Sequence, residues 1–267
     1  MTYDTFSSDY DRFVSWPGRL AIEIPFIEQQ LYSVADSKSS VLWVLDAACG
    51  TGMHAIALAK LGYAAAGADL SAGMVAHARA NAAKAGMNVR FEAAGFSELA
   101  QTFGSSDPVN PAKAPDYDAV LCLGNSLPHV LTSGDLAATL DDFAACLRPG
   151  GLLLVQNRNF EAVLSHHERW MEPQAHREGD QEWMFLRFYD FDPDRLLTFN
   201  ILTLKRERDA DWIQQVTTTR LFPLRQADLM GPLSKAGFID VKWFGNMAGA
   251  PFDPEASSNL VFAAVKR

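Results

Sequence analysis

The chain has 267 residues, 48% of them hydrophobic and 21% charged, which is enough apolar material for a large folded core and excludes a wholly disordered chain. Its formal net charge of −9 argues against general binding to nucleic acid or to an anionic membrane, because both favour basic proteins. The three cysteines are far apart and form no CxxC pair, so neither a zinc site nor a disulfide framework is expected.

The first 40 residues are predicted to form an N-terminal lid segment and a helix. Aromatic residues recur through residues 1–18 with acidic residues between them, so this segment is expected to pack against the rest of the protein. Residues 19–34 place apolar side chains on one helical stripe, which predicts an amphipathic helix. The aromatic segment would serve either as a lid or as an arm that reaches a neighbouring subunit.

Residues 41–165 alternate predicted strands with predicted helices, which indicates a parallel sheet with helices on both faces. The predicted strands are Val41–Leu45, Ala64–Ala68, Val89–Glu92, Asp118–Leu123 and Leu152–Gln156. The predicted helices are Met53–Leu61, Ala72–Ala85 and Leu136–Leu147. Residues 101–115 contain three prolines and many small polar residues, so a loop is expected there.

The alternation stops in residues 166–224, where strands follow one another without helices. Three strands are predicted here, and short Asp-rich turns separate them: Trp183–Phe191, Leu196–Arg206 and Trp212–Phe222. This pattern predicts an antiparallel insert. The α/β pattern resumes in residues 225–267. It continues with a helix over Arg225–Ala236 and strands over Asp240–Phe244 and Leu260–Val265.

A glycine-containing turn at Asp46–Gly52 joins the first predicted strand to the first helix of the sheet region. Gly50 and Gly52 permit a tight turn and a close approach of a ligand to the backbone. Asp69 ends the second predicted strand, where a carboxylate can accept both hydroxyls of a ribose. A plain strand–helix turn, with Asp69 capping the next helix, would explain the same residues. Residues 50–55 also fit the degenerate GxGxxG/A pattern, so an NAD-dependent oxidoreductase remains a remote alternative.

The segment Asp46–Gly52 resembles the D-x-x-C-G-T-G motif of class I S-adenosylmethionine-dependent methyltransferases. Three shorter segments resemble the glycine N-methyltransferase (glycine/sarcosine N-methyltransferase) family: Gly18–Ala21, Cys122–His129 and Asn157–Phe160. The resemblance implies a Rossmann-like fold with a mostly parallel seven-stranded sheet. It also implies helices on both faces and an antiparallel insert after the fifth strand.

The resemblance implies S-adenosyl-L-methionine as the cofactor and S-adenosyl-L-homocysteine as the product. It assigns cofactor contacts to Tyr3, Tyr10, Arg19, Ala48, Gly50, Gly52, Asp69, Gly95, Phe96, Leu123 and His129. Many class I enzymes have an acidic residue near this glycine that contacts the adenine amine; the resemblance finds none here, so Phe96 or backbone groups would contact the adenine. The catalytic requirement is mainly alignment of the nucleophile with the methyl group, so no residue is assigned as a general base.

The same resemblance assigns acceptor positioning to Asn125 and Arg158. An arginine at the end of a strand can bind a carboxylate through two parallel hydrogen bonds, although an ion pair with a neighbour such as Glu161 is the simpler alternative. Phe13 replaces one tyrosine that the family places around the acceptor amine, and Tyr189 is the only tyrosine in the insert. The implied reaction is methylation of the amine of a small acceptor that carries a carboxylate; O-, C- or S-methylation is the alternative.

The sequence predicts a small-molecule acceptor as the partner, without nucleic acid or membrane, and leaves a homo-oligomer open. No apolar run reaches transmembrane length and residues 1–16 do not resemble a signal peptide, so a cytoplasmic location is expected. His166, His167 and His176 lack the spacing by which ligands share one helix face. No metal is therefore expected.

Overall fold

The computed structural model describes residues 7–34, 41–104 and 117–267. The predicted cofactor contact Tyr3 and residues 105–115 of the predicted loop lie outside these residues. Eleven strands occur in the described chain, and the loop region begins with a short helix that the sequence did not predict. The strands are β1 (Trp43–Asp46), β2 (Ala64–Asp69), β3 (Arg90–Ala93), β4 (Tyr117–Cys122), β5 (Leu147–Arg158), β6 (Gln174–Glu178), β7 (Gln181–Phe191), β8 (Leu197–Glu207), β9 (Ile213–Leu221), β10 (Phe238–Phe244) and β11 (Asn259–Lys266).

Eight α-helices and one 3₁₀ turn, Leu127–His129, connect these strands in the described residues. The helices are α1 (Ser7–Phe13), α2 (Trp16–Val34), α3 (Met53–Lys60), α4 (Ala72–Lys84), α5 (Leu99–Phe103), α6 (Ser133–Cys146), α7 (Phe160–Ser165) and α8 (Gln226–Lys235). Among residues 7–34, 41–104 and 117–267, none of the helices is long and apolar enough to cross a membrane.

The main sheet has seven strands in the order β10-β11-β5-β4-β1-β2-β3. The five strands β1 to β5 pair in parallel, whereas β11 runs antiparallel to both of its neighbours, β5 and β10. This arrangement confirms the predicted mostly parallel seven-stranded sheet. From β1, the chain adds β2 and β3 on one side of the sheet and then β4 and β5 on the other side. This change of direction between β1 and β4 leaves a crevice at the carboxyl ends of these two strands.

Alternate residues of the central strands pack against different helix layers, as the period of a strand requires. Leu45 and Val120 belong to the cluster under α5, α6 and α8, whereas their neighbours Val44 and Leu121 belong to the cluster that includes Ile27 of α2. A sheet buried on both faces explains why its strands read as continuous apolar runs rather than alternating ones.

Two predicted helices owe their position to clear local signals. In α2, Ile24, Ile27 and Leu31 are buried at helical spacing, and they attach the helix to the sheet. In α4, the hydroxyl of Ser71 caps the N-terminus by accepting a hydrogen bond from the amide of Met74 at 3.1 Å.

The insert is a separate antiparallel sheet in the order β6-β7-β8-β9, so it contains the three predicted strands and a fourth. The sequence prediction missed β6, because its five residues show no apolar alternation and it is defined by its pairing with β7. The short helices α1 and α7 were also not predicted. In addition, β5 begins at Leu147, whereas the sequence predicted a helix that ends at Leu147 and a strand that begins only at Leu152.

Helix α1 packs between the glycine-containing turn and the insert sheet. One carboxylate oxygen of Asp11 accepts hydrogen bonds from Thr51 Oγ1 at 2.6 Å and Trp16 Nε1 at 2.8 Å. On the other side of the helix, Phe13 makes an edge-to-face contact with Phe185, with ring centroids 5.5 Å apart. The aromatic N-terminal segment therefore packs against the domain, as expected.

Candidate cofactor and acceptor site

A cavity of about 1120 Å³ opens at the carboxyl ends of the parallel strands, beneath the inner face of the insert sheet. Its core half contains residues that follow β1, β2 and β3, such as Gly50, Asp69 and Gly95. Its insert half contains residues of β7, β8 and β9, such as Arg187 and Ile201. The cavity thus occupies the crevice where open α/β sheets bind their ligands, and it extends toward a second sheet.

Ten of the predicted site residues line this one cavity, although they come from six separate parts of the sequence. They are Tyr10, Arg19, Ala48, Gly50, Asp69, Gly95, Phe96, Asn125, His129 and Arg158. Two predicted cofactor contacts do not line it. Leu123 is buried in the core cluster next to α2, and Gly52 faces α4 and β3.

The two glycines of the turn have different structural roles. Gly50 has φ 53° and lies at the cavity, where a Cβ would come 3.7 Å from the ring of Tyr10. Gly52 has φ 81°, and a Cβ there would come only 2.7 Å from the ring of Phe91. Gly52 therefore lets the turn pack closely on the core, and its predicted contact with the cofactor stays a prediction.

Asp69 connects the turn to the start of α4. Its Oδ2 accepts a hydrogen bond from the Gly50 amide at 2.9 Å, and its Oδ1 accepts one from the Ser71 amide at 2.9 Å. A carboxylate oxygen can accept more than one hydrogen bond, so these two bonds do not by themselves exclude hydroxyl donors from a ligand. The capping role that the sequence left open is therefore present, and the ribose role stays a prediction.

A row of interacting ionisable side chains lies along α2 at the edge of the cavity. Arg19 Nε donates to both carboxylate oxygens of Glu23, at 2.9 and 3.0 Å, and His54 Nε2 lies 2.5 Å from Glu23 Oε2. Burial favours the neutral carboxyl, but the hydrogen bond with His54 and the charge of Arg19 outweigh it and hold the pKa of Glu23 below its usual value. Arg19 is consequently fixed at the cavity with its terminal nitrogens beside Gly124.

The ends of β4 and β5 are joined by amide side chains. The amide of Gly124 donates to Gln156 Oε1 at 2.8 Å, and Asn125 Oδ1 accepts a hydrogen bond from the Arg158 amide at 2.9 Å. Asn125 has φ 65°, a conformation that asparagine tolerates better than most residues. Arg158 Nη2 donates to Glu168 at 2.8 Å, so the ion-pair partner of Arg158 is Glu168 rather than Glu161.

His129 is held in its neutral form. Burial lowers the pKa of His129 to about 4, because a charged imidazolium loses its hydration in the protein interior. Its Nδ1 lies 3.4 Å from the hydroxyl of Thr219 on β9. His129 therefore contributes a polar contact at neutral pH without adding charge to the cavity.

Comparison with known proteins finds similarity to methyltransferases. A family model described as a methyltransferase domain matches residues 44–151. The glycine/sarcosine N-methyltransferase of Halorhodospira halochloris is 32% identical over 163 residues, which are 61% of this chain and 55% of that protein. The glycine/sarcosine N-methyltransferase of Aphanothece halophytica is 27% identical over 241 residues, covering 90% of this chain and 81% of the relative. The crystal structure of an S-adenosylmethionine-dependent methyltransferase from Clostridium acetobutylicum superposes with a TM-score of 0.74, at 15% identity and with 99% and 98% of the two chains covered.

Residues 44–151 therefore match a methyltransferase domain, and the chain as a whole has the fold of the class I S-adenosylmethionine-dependent methyltransferases. The match to the Halorhodospira protein spans about half of that protein's length, 55%. At 15% identity, the Clostridium structure supports the fold of this protein alone.

Three residues of this cavity were not assigned from the sequence. Glu98 accepts a hydrogen bond from the Gly95 amide at 3.0 Å, so an acidic group does lie beside Gly95, although it is three residues away in sequence. Arg187 and Tyr189 lie two residues apart on β7 and line the insert half. Their spacing in a predicted strand would have placed them on one face, but nothing in the sequence showed which face meets the cavity.

Asp46, the first residue of the methyltransferase motif, is buried behind the cavity. Both of its carboxylate oxygens lack a hydrogen-bond partner among the described side chains and backbone groups. Burial raises the pKa of Asp46 to about 6. Burial likewise raises the pKa values of the free thiols of Cys49 and Cys122, so neither is an activated nucleophile. Within the described residues, no group of three or more His, Cys, Asp or Glu side chains could hold a metal ion.

Proposed function

We propose that this protein transfers a methyl group from S-adenosyl-L-methionine to the amine of a small acceptor that carries a carboxylate. The observation that supports this proposal is a single cavity with two chemically different halves. Turns and Asp69 form its core half, whereas arginine, hydroxyl and apolar side chains line its insert half. The glycine/sarcosine N-methyltransferase relatives act on acceptors of this kind.

The residues of the core half fit the cofactor. Gly50 presents bare backbone to the cavity, and a side chain at that position would meet the ring of Tyr10. Asp69 would bind the ribose hydroxyls, Phe96 and Glu98 would flank the adenine, and Arg19 would bind the methionine carboxylate. When bound, S-adenosyl-L-methionine supplies a methyl group that is already electrophilic because it is attached to a sulfonium.

The protein's own contribution would be orientation and exclusion of water. Tyr10, Phe13 and Val14, in and just after α1, cover one side of the cavity, and the insert sheet covers another. The acceptor amine must arrive neutral, because a protonated amine has no lone pair. His129 stays uncharged at neutral pH and so adds no positive charge to a cavity that would hold a positively charged sulfonium.

Arg158 and Asn125 would position the acceptor where β4 and β5 end. Arg158 Nε is buried and makes no hydrogen bond in the described structure, although Nη2 is paired with Glu168. A carboxylate could use that unpaired donor, so Arg158 retains hydrogen-bonding capacity toward a ligand.

Replacing Arg158 with Ala tests this assignment. Loss of one partner of a buried charged contact typically costs about 2–5 kcal/mol, so kcat/KM for a carboxylate-bearing acceptor should fall steeply. The dissociation constant of S-adenosyl-L-methionine, measured by calorimetry, should stay nearly unchanged. The matched control is Arg169→Ala, which removes an exposed arginine paired with Asp190 outside the cavity.

The methylated products are identified by mass spectrometry over a panel that includes glycine, sarcosine, dimethylglycine and larger amines. A collapse of cofactor affinity in Arg158→Ala would contradict the placement of Arg158 at the acceptor. If no panel member is methylated although the cofactor binds firmly, the proposed reaction itself is wrong.

A further inference from the structure

Arg187 is a half-buried cation without an anionic partner in the described protein. No Asp or Glu among residues 7–34, 41–104 and 117–267 lies within ion-pair distance of its guanidinium, and its Nε is buried without a hydrogen bond. By contrast, two other arginines that line the cavity are paired, Arg158 of β5 with Glu168 and Arg220 of β9 with Asp194. A buried charge without a partner is costly, so a ligand anion is the natural counter-ion.

The guanidinium of Arg187 is held in place from one side by an aromatic ring. Its Cζ lies 4.8 Å from the ring centroid of Phe13, which is itself fixed by an edge-to-face contact with Phe185. A planar cation stacked on a ring keeps its N–H donors at the edge, where they can reach a bound oxyanion. The charge of Arg158 lies close enough to lower the pKa of Arg187 further, after the larger effect of burial.

The surroundings of Arg187 in the cavity wall are apolar. Ile201 is its direct cross-strand partner on β8, and the backbone amide of Met171 donates to its carbonyl oxygen at 3.0 Å. Phe199 lies opposite Tyr189 in the same register. Four residues of this wall thus line the cavity together with Arg187: Met171, Tyr189, Phe199 and Ile201. The acidic residues that line the cavity, Glu23, Asp69 and Glu98, belong to its core half.

We propose that Arg187 binds the carboxylate of the acceptor beside Arg158, and that the acceptor is an amino acid with an apolar side chain larger than that of glycine. The side chain would lie against Met171, Phe199 and Ile201. This inference rests on the proposed methyl transfer to an amine, and it makes Arg187 a specificity-determining residue.

The experiment compares amino acids with their amides in the full-length protein. Glycine, alanine, valine, leucine and phenylalanine are tested against glycinamide and leucinamide, and kcat/KM is measured for wild type, Arg187→Met and Arg187→Lys. We expect wild type to prefer leucine over leucinamide and over glycine. Arg187→Met should reduce the leucine-to-leucinamide preference by about 30-fold or more, and Arg187→Lys should restore part of it.

The preference ratio within one variant is independent of the fraction of folded enzyme, so partial misfolding cannot imitate the effect. Arg208→Gln is the matched control, because it removes one positive charge at an exposed turn where Arg208 pairs with Asp180. Product formation with an unchanged leucine-to-leucinamide ratio in Arg187→Met would overturn the role of Arg187 while leaving methyl transfer intact. Preference for glycine over all larger acceptors would overturn the apolar pocket, and absence of any product would overturn the methyl transfer on which both depend.

Discussion

Replacing Gly52 with Ala separates the two reasons for a glycine in the cofactor turn. Gly52 has φ 81°, and an added Cβ would lie 2.7 Å from Phe91 Cζ and 2.9 Å from Ala78 Cβ. Gly62, at the other end of α3, has a comparable φ of 96°, but nothing lies within 4 Å of its added Cβ. The pair therefore shares the backbone strain and differs in the steric clash.

The expected magnitudes follow from these contacts. An L-residue in the left-handed region costs about 1–2 kcal/mol, so Gly62→Ala should lose about that much stability. Gly52→Ala should lose a further amount of about 1–3 kcal/mol, because Phe91 and Ala78 are buried and must shift to admit the methyl group. For a chain of this size, each kcal/mol lowers Tm by about 2–4 °C.

Urea unfolding followed by tryptophan fluorescence, with circular dichroism as a second probe, measures both variants against wild type. Coincident transitions from the two probes are required before the free energies of unfolding are compared. Equal destabilisation of the two variants would refute the argument, since it would mean that the close approach to Phe91 carries no energetic cost.

Three further predictions concern carboxylates near the cavity. Asp69→Asn should weaken binding of S-adenosyl-L-methionine by about 1.5–3 kcal/mol, because a charged acceptor is lost from the turn, and an unchanged calorimetric affinity would exclude the ribose role. Asp46→Asn should stabilise the protein at pH 7, since the pKa of Asp46 is raised from 3.8 to about 6 and ionising this buried group costs about 3 kcal/mol. That cost is absent below pH 4 and complete above pH 6. The difference in unfolding free energy between Asp46→Asn and wild type should therefore shrink as the pH falls from 6 to 4. A difference independent of pH would contradict the raised pKa of Asp46. Asp11→Ala should release α1, because Asp11 accepts hydrogen bonds from Trp16, Thr51 and Asn81. Limited proteolysis should then cut near Arg12 faster than in wild type. Unchanged cleavage would show that the aromatic contacts alone hold the helix.

The sequence was most informative where one motif combines local geometry with chemistry. The Asp46–Gly52 turn, Asp69 and Arg158 all follow strands of one parallel sheet, so their meeting at one edge could be inferred without coordinates. Their assignment as a set was possible because parallel strands direct their carboxyl ends to the same side.

The insert half of the cavity could not be inferred in the same way. Antiparallel strands expose two faces, and choosing between them requires knowing how the insert sheet lies over the core. The sequence therefore does not distinguish Arg187 from any other polar residue in a strand, and only the strand pairing shows that it lies opposite Ile201. Glu98 was missed for a related reason, since a turn rather than sequence adjacency brings its carboxylate to Gly95.

The position of β11 inside the main sheet has a consequence for synthesis of the chain. β11 separates β10 from β5, and its residue Asn259 pairs with Arg158. Ribosomes add roughly 5–20 residues per second, so β5 is made about 5–20 seconds before its partner strand exists. During that interval the row of amide and carbonyl groups along β5 remains unpaired, and it offers an edge to which another nascent strand can add.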